Sequence, residues 1–314
     1  MTRWIAALLW TAAGLACATA DTVSAGSGPG VELAEPILWQ VDVTTEDDGQ
    51  KKAGRLYLLG SIHVGPRGGW KLPAATLARF EASDALVVEV DMREGSPEEQ
   101  DDAVLRYGLL PGGESIKNHI SPELYKELER YVAKIGRSMI NINPWKPWMV
   151  ATMLLGFETE RLGYPTEAGL DLDLMARVSK TQRIIGLETM AEQLSLLGDM
   201  APEEQELMLK DMLLQAADIE NYFNALKEAW RTGDEAKLEK ILFSELEAAP
   251  ELAPFYERVI FARNQTMCER LQKLLESGEE TLFGVVGAYH LVGTRGIPAC
   301  LSGRGFQVTR LSAS

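Results

Sequence analysis

The chain has 314 residues, 46 of them Asp or Glu against 31 Lys or Arg, giving a formal net charge of −15 at pH 7. That balance repels phosphate backbones and anionic lipid, which excludes nucleic acid and acidic membrane surfaces as electrostatic partners. The length allows a full hydrophobic core, in one large domain or two small ones.

The N-terminus reads as an export signal. Arg3 precedes a mostly apolar run from Trp4 to Ala16, and Ala18-Thr19-Ala20 has the small-x-small pattern of a signal-peptidase site. The run is too short for a membrane span, and no later stretch approaches the roughly 20 apolar residues that a spanning helix needs. The expected mature chain starts at Asp21 and is secreted across an inner membrane into the periplasm. Lipidation at Cys17 is the minor alternative: in Gly14-Leu15-Ala16-Cys17 the Leu stands one place too close to the Cys. Residues 21–34, rich in Ser and Gly at their start, are expected to be a flexible leader.

Alternating residues from Ile37 to Val43 predict a strand, Glu46-Asp47-Asp48-Gly49 a turn, and Arg55–Ser61 the second strand of a hairpin. Helical spacing opened by a proline covers Pro73–Ala82. Ala85–Val90 is short and nearly all apolar, as expected of a strand covered on both faces. Helices are expected over Pro122–Ile135, Pro147–Leu162, Gly169–Lys180, Met190–Leu197, Pro202–Arg231, Glu235–Leu246 and Pro250–Glu276, interrupted by one strand, Arg183–Leu187. The methionines of Met200–Met212 fall on helical faces and read as core packing. The chain ends with a strand at Thr281–Val286, a short helix at Ile297–Ser302 stopped by Gly303 and Gly305, and a strand at Phe306–Leu311.

Two segments far apart repeat one phrase. Leu58-Leu59-Gly60-Ser61-Ile62-His63-Val64-Gly65 and Val285-Val286-Gly287-Ala288-Tyr289-His290-Leu291-Val292-Gly293 each join an apolar run to Gly-x-x-His and a further Gly. They hold two of the three histidines; the third, His119, lies in a polar loop and reads as a surface residue. Each repeat is a strand, Gly-x-x-His, a helix and a strand. The fold class is therefore α/β: two duplicated units form a mixed sheet over residues 35–312, with a large helical insertion at about 120–278.

Ligands of open α/β sheets sit at the carboxyl ends of strands, where this reading puts both histidines. Histidine serves there as a neutral metal ligand or as an acid–base group. Glu89 interrupts an apolar strand, and a charge in that setting requires a partner or a metal. Asp91 stands at the strand exit, Glu188 follows another short strand, and Asp171 and Asp173 open a helix, where the helix dipole alone would account for them. Arg263 and Asn264 lie within a helix; the Arg is either salt-bridged or a clamp for a substrate carboxylate or oxyanion. Two His and a carboxylate make an open site for a divalent metal such as manganese, cobalt or zinc. Cys268 and Cys300 either pair in an oxidising compartment or remain buried thiols; with no His near them in sequence, neither is a candidate nucleophile. No Gly-x-Ser-x-Gly, His-Glu-x-x-His, phosphate loop or dinucleotide fingerprint occurs.

These motifs resemble the TraB/GumN family of the Tiki superfamily over roughly residues 35–312. The resemblance rests on Gly60–His63, Gly287–His290 and Glu89, supported by Gly169-Leu170-Asp171, Gly186-Leu187-Glu188-Thr189 with Gln193, and Arg263-Asn264 with Met267. It implies an α/β core made by duplication. From the animal Tiki members it implies a metal-dependent protease with His63 and His290 as ligands and Glu89 at the site. Tyr289 stands where Gly is usual, Pro66 where Asp is common and Ala262 where an acid is usual, which bears on the substrate more than on the site. Relatives with other activities, haem-binding lipoproteins among them, leave a second expectation: a periplasmic binding protein for haem or a peptide, with no turnover.

Overall fold

Residues 30–47, 50–277 and 280–312 are described by the computed structural model; the expected signal segment, Cys17 and most of the leader lie outside them. The end of the expected leader is ordered. Glu32–Leu33 (β1) pairs in parallel with Trp70–Lys71 (β4), and Ala34 is fully buried.

The main sheet contains Leu38–Asp47 (β2), Gln50–Ser61 (β3), Ala85–Val90 (β5), Arg183–Glu188 (β6), Thr281–Gly287 (β7) and Gln307–Leu311 (β8), in the order β6-β5-β7-β3-β2-β8. β3, β7, β5 and β6 run parallel to one another; β2 is antiparallel to both β3 and β8. β8 therefore points the same way as β3, and β2 alone is reversed. Each duplicated unit is a right-way strand, helix and strand. From β3 the chain runs through helix Ala74–Glu81 to β5; from β7 it runs through helix Ile297–Gly303 to β8. The first crossover steps over β7 in one direction and the second steps over β3 and β2 in the other. The connections of β3 and β7 thus leave in opposite directions along the sheet, each stepping over the other's strand, and ligands of open α/β sheets sit at strand carboxyl ends where the order reverses. The register puts Ser61 opposite Gly287, so both Gly-x-x-His turns leave the sheet at the same level.

Close approach explains the glycines of the first motif. A Cβ on Gly60 would stand 2.7 Å from Ile37 Cγ1 and 2.8 Å from Ala288 Cβ in the second motif. One on Gly65 would stand 1.9 Å from the carbonyl oxygen of Ala168. Only glycine lets these backbones touch.

The expected helices form, with three differences. Pro202–Arg231 is two helices, Pro202–Gln215 and Ile219–Arg231. Apolar spacing continues across the break, and no Pro or Gly marks it, so periodicity could not show the turn at 216–218. The stretch from Pro250 is a 3-10 turn, a short helix, a π-helical turn at Glu257–Phe261 and helix Ala262–Ser277. An unexpected helix, Pro97–Gly108, opens on the polar run Glu98–Asp102 and carries its apolar residues only in its second half; its signal is the Ser96–Glu99 capping box with Pro97 at the first turn. The hairpin strands β2 and β3 also extend beyond the expected bounds, into the acidic stretch read as a turn. Met200, Met208 and Met212 are buried in the core, as their spacing predicts.

Cys268 and Cys300 form a disulfide that ties helix Ala262–Ser277 to helix Ile297–Gly303, the two cysteines being 32 positions apart in sequence. Closing a loop of that length is worth about 3–4 kcal/mol in the chain-entropy account. We expect Cys268→Ala/Cys300→Ala to lower the thermal midpoint accordingly. Adding a thiol reductant should lower that of the wild type and leave the variant's unchanged, as read by differential scanning calorimetry.

Candidate functional site

Each of the parallel strands β3, β5, β6 and β7 contributes a polar side chain. His63 follows β3, Glu89 lies within β5, Glu188 ends β6 and His290 follows β7. Helix Leu170–Arg177 supplies Asp171, and helix Ala262–Ser277 supplies Arg263 and Asn264. All seven side chains are buried, His290 fully and Glu89 to within 6%.

The Glu89 carboxylate is the centre. Its Oε1 accepts the Gly287 N–H at 2.6 Å; its Oε2 accepts Arg263 Nη2 at 2.6 Å and Gln193 Nε2 at 3.1 Å. His63 Nε2 lies 3.9 Å from Oε1 and His290 Nε2 lies 3.8 Å from Oε2. The two histidines thus flank one carboxylate, one at each oxygen. On their far sides, His63 Nδ1 faces Asp171 Oδ2 at 3.1 Å, and His290 Nδ1 contacts Asn264 Oδ1 at 2.5 Å.

Arg263 joins Glu89 to Glu188, which takes its Nε at 3.1 Å and its Nη2 at 2.7 Å. Its Nη1 donates to the Val259 carbonyl within the π turn. The expected role as a substrate clamp does not fit this placement: the guanidinium is 4% exposed and its donors face internal acceptors. Of the two readings made from sequence, the salt-bridged arginine is the one seen.

Burial opposes the charge on Glu89, but His290, Arg263, His63 and the Gly287 amide outweigh it and hold the carboxyl down at about 2. Burial drives His290 the other way for a base, down to about 3, with Arg263 and His63 assisting and Glu89 opposing. At neutral pH His290 is therefore uncharged, and Arg263 with the Gly287 amide is what keeps Glu89 ionised. Burial opposes the charge of Arg263 too; Glu188 and Glu89 overcome it and raise its pKa.

The backbone around His63 is fixed on both sides. The indole of Trp230 donates to the Gly60 carbonyl and that of Trp70 to the Val64 carbonyl. Leu170 N–H donates to Ile62 O, and Gly65 N–H to Pro165 O. No sequence signal pointed to these two tryptophans, nor to the Gly287 amide, because none of them is near its partner's motif in a way spacing reveals. Around the second motif, Tyr289 stacks on Phe243 at 5.4 Å and stands edge-on to His290 at 5.8 Å.

The remaining candidates fall outside the cluster. Asp91 turns to Arg93, and Asp173 pairs with Arg177 on its own helix. His119 sits at the surface against Glu114.

A cavity of about 20 Å³ adjoins His63, Glu89, Asp171 and Gln193, and is otherwise lined by Val88, Val90, Met92, Met175, Met190 and Val285. That is room for one water molecule or one ion. The donors suit a cation. Glu89 and Glu188 share a single guanidinium, and His290 Nε2 is buried with no hydrogen-bond partner. Each imidazole Nε2 stands 3.8–3.9 Å from its own oxygen of Glu89, wider than the ~3.4 Å between two tetrahedral ligands of one ion. Among the described residues no group of three or more His, Cys, Asp or Glu stands at ligand spacing.

The strand ends thus gather both Gly-x-x-His histidines around one buried Glu in an α/β protein. The chain belongs to the TraB/PrgY/gumN family, whose model matches residues 41–310. It is similar to the Escherichia coli (strain K12) protein named "Uncharacterized protein YbaP", with 23% identity over 246 residues that cover 78% of this chain and 87% of that one. The Shigella flexneri protein of the same name matches to the same extent. No solved structure matches.

The cluster makes stability depend on acid in a defined direction. Glu89 is depressed from 4.5 and His290 from 6.5, so the unfolded chain binds more protons than the folded one at both positions. Stability present above about pH 6.5 should fall as pH drops toward 3 for His290, and from about 4.5 toward 2 for Glu89. We expect the thermal midpoint of metal-free protein to decline through this range, with a shallower decline below pH 4.5 in Glu89→Gln. Arg263→Met, which leaves two buried carboxylates without their cation, should cost about 3–5 kcal/mol at pH 7 in urea denaturation.

Proposed function

We propose that this protein is an exported, divalent-metal-dependent hydrolase acting on peptides. One observation carries the reading: two buried imidazole Nε2 atoms face opposite oxygens of one ionised carboxylate at the carboxyl edge of a parallel sheet. His63, His290 and Glu89 would hold the metal, identity manganese, cobalt or zinc, leaving positions open to solvent and substrate. Bound there, such an ion supplies Lewis acidity and an activated water.

The chain's own residues prepare that site. Arg263 and the Gly287 amide keep Glu89 ionised and oriented. Asp171 supports His63 from its far side, as ligating histidines are commonly supported. Gln193 spans Glu89 and Glu188, 3.1 Å from each, and holds the two carboxylates apart. Access is from the side of Met92, Met175 and Met190, unbranched side chains that can repack as a substrate enters.

The cavity size supports an ion over haem, the alternative expectation: a macrocycle needs several hundred Å³ against about 20 Å³ here. Peptide as the substrate rests on the resemblance to the Tiki members. Export rests on the N-terminal sequence, and the Cys268–Cys300 disulfide suits an oxidising compartment. No helix among the described residues is long and apolar enough to cross a membrane.

Elemental analysis of mature protein purified without chelator should return one equivalent of a divalent transition metal. His63→Ala, His290→Ala and Glu89→Gln should each lose it, together with cleavage of an unstructured peptide library followed by mass spectrometry. Wild-type protein that neither carries nor takes up metal would overturn the reading. Protein recovered from the cell envelope should begin at Asp21.

A further inference from the structure

We infer that Asn264 is a positioning residue that locks His290 as its Nδ1–H tautomer and so presents a bare Nε2 toward Glu89. The inference rests on the metal reading only for what that nitrogen would bind; the tautomer itself is a property of the chain.

The argument starts from a backbone carbonyl, which can only accept. Asn264 Nδ2 donates to Arg295 O at 2.8 Å. Turning the amide over would set its oxygen against that carbonyl, two acceptors at hydrogen-bond distance. The amide nitrogen must therefore face Arg295, and Oδ1 must face His290. His290 Nδ1 lies 2.5 Å from Oδ1, so the ring nitrogen carries the hydrogen. A neutral imidazole carries one hydrogen, and in this fully buried ring no acceptor lies within hydrogen-bond distance of Nε2, so with the hydrogen on Nδ1 that nitrogen is bare. Nε2 has no hydrogen-bond partner and stands 3.8 Å from a carboxylate oxygen. Free histidine prefers the opposite tautomer, and in proteins the partner of one ring nitrogen decides the state of the other.

Arg295 is well anchored for this task. Its guanidinium donates to both oxygens of Glu257 and lies over the Phe261 ring at 3.8 Å. Both residues belong to the π-helical turn just before Asn264. The Cys268–Cys300 disulfide closes the same frame one turn further along the helix. The His290 loop and the Asn264 helix are thus held at three points, and the amide sits between them. π-helical turns recur at functional sites, and this one brings adjacent residues Arg263 and Asn264 onto two different partners, Glu89 and His290.

Long-range ¹H–¹⁵N spectra of the intact, metal-free protein labelled in histidine test this directly. The His290 signals are identified as those lost in His290→Gln. We expect a protonated-type Nδ1 and a bare-type Nε2 in wild type. Asn264→Leu should shift the ring toward the Nε2–H form, and Asn264→Asp, which keeps an acceptor oxygen, should retain Nδ1–H. Zn²⁺ affinity, measured by competition with a chromogenic chelator, should fall about 10–100-fold in Asn264→Leu. A wild-type His290 in the Nε2–H form overturns the inference, as does an unchanged tautomer in folded Asn264→Leu. If Asn264→Leu does not fold, the wild-type spectrum and Asn264→Asp still decide. The expected tautomer with no Zn²⁺ uptake would sustain the positioning role and sink the metal reading alone.

Discussion

The carboxylate of Glu89 governs how the rest of this protein is arranged. It is a charge near the end of a strand whose other residues are apolar, and only 6% of it is exposed. Isolated, such an ion would lose several kcal/mol of solvation and would take up a proton instead. The structure avoids this by converging donors from three separate elements: the guanidinium of Arg263, the amide of Gln193 and the backbone N–H of Gly287. Each depends on a distant part of the chain reaching the same point. Helix Ala262–Ser277 has to lie across the sheet end, helix Met190–Gly198 has to follow β6, and β7 has to sit beside β5. The same placement forces both histidines against the carboxylate and strips His290 of solvent.

The sheet order makes that convergence available. Inserting β7 between β3 and β5 brings the last third of the chain next to the first. The two Gly-x-x-His turns then meet back to back, with Gly60 against Ala288. The helical portion between them does two jobs. It carries the large, fully buried side chains Trp148, Phe223, Trp230 and Tyr256, and it supplies the residues that restrain the site from behind: Asp171, Gln193, Arg263 and Asn264. Trp230 belongs to both roles, since its indole nitrogen holds Gly60 O from within the core.

Rigidity and closure mark the result. The loop carrying His63 has its carbonyls and amides engaged by Trp70, Trp230, Pro165 and Leu170, and the loop carrying His290 is framed by a disulfide and by Arg295. Only the side toward Met92, Met175 and Met190 is built from unbranched, weakly directional side chains. A site with fixed polar groups and an adaptable apolar wall suits chemistry at a set point with tolerance in what approaches it.

The sequence by itself determined the α/β class, the strand positions of Ala85–Val90, Arg183–Leu187 and Thr281–Val286, most helices, and the three residues His63, Glu89 and His290 as one group. These were legible because period, punctuation and a repeated motif are local properties, and because a lone acid in an apolar strand announces a buried partner. Tertiary structure decided the rest. Whether Arg263 met a substrate or a carboxylate depended on where helix Ala262–Ser277 docks relative to β6, and Glu188 is 75 residues away from it in sequence. Asp91 and Asp171 looked equivalent as helix-end or strand-end acids; the pleat turns Asp91 to Arg93, while the docking of helix Leu170–Arg177 turns Asp171 to His63. The pairing of Cys268 with Cys300, the break at 216–218 and the Trp70 and Trp230 bonds were hidden for the same reason. Each is fixed by a long-range approach of two elements, and amino-acid spacing encodes what an element is far more directly than what it will touch.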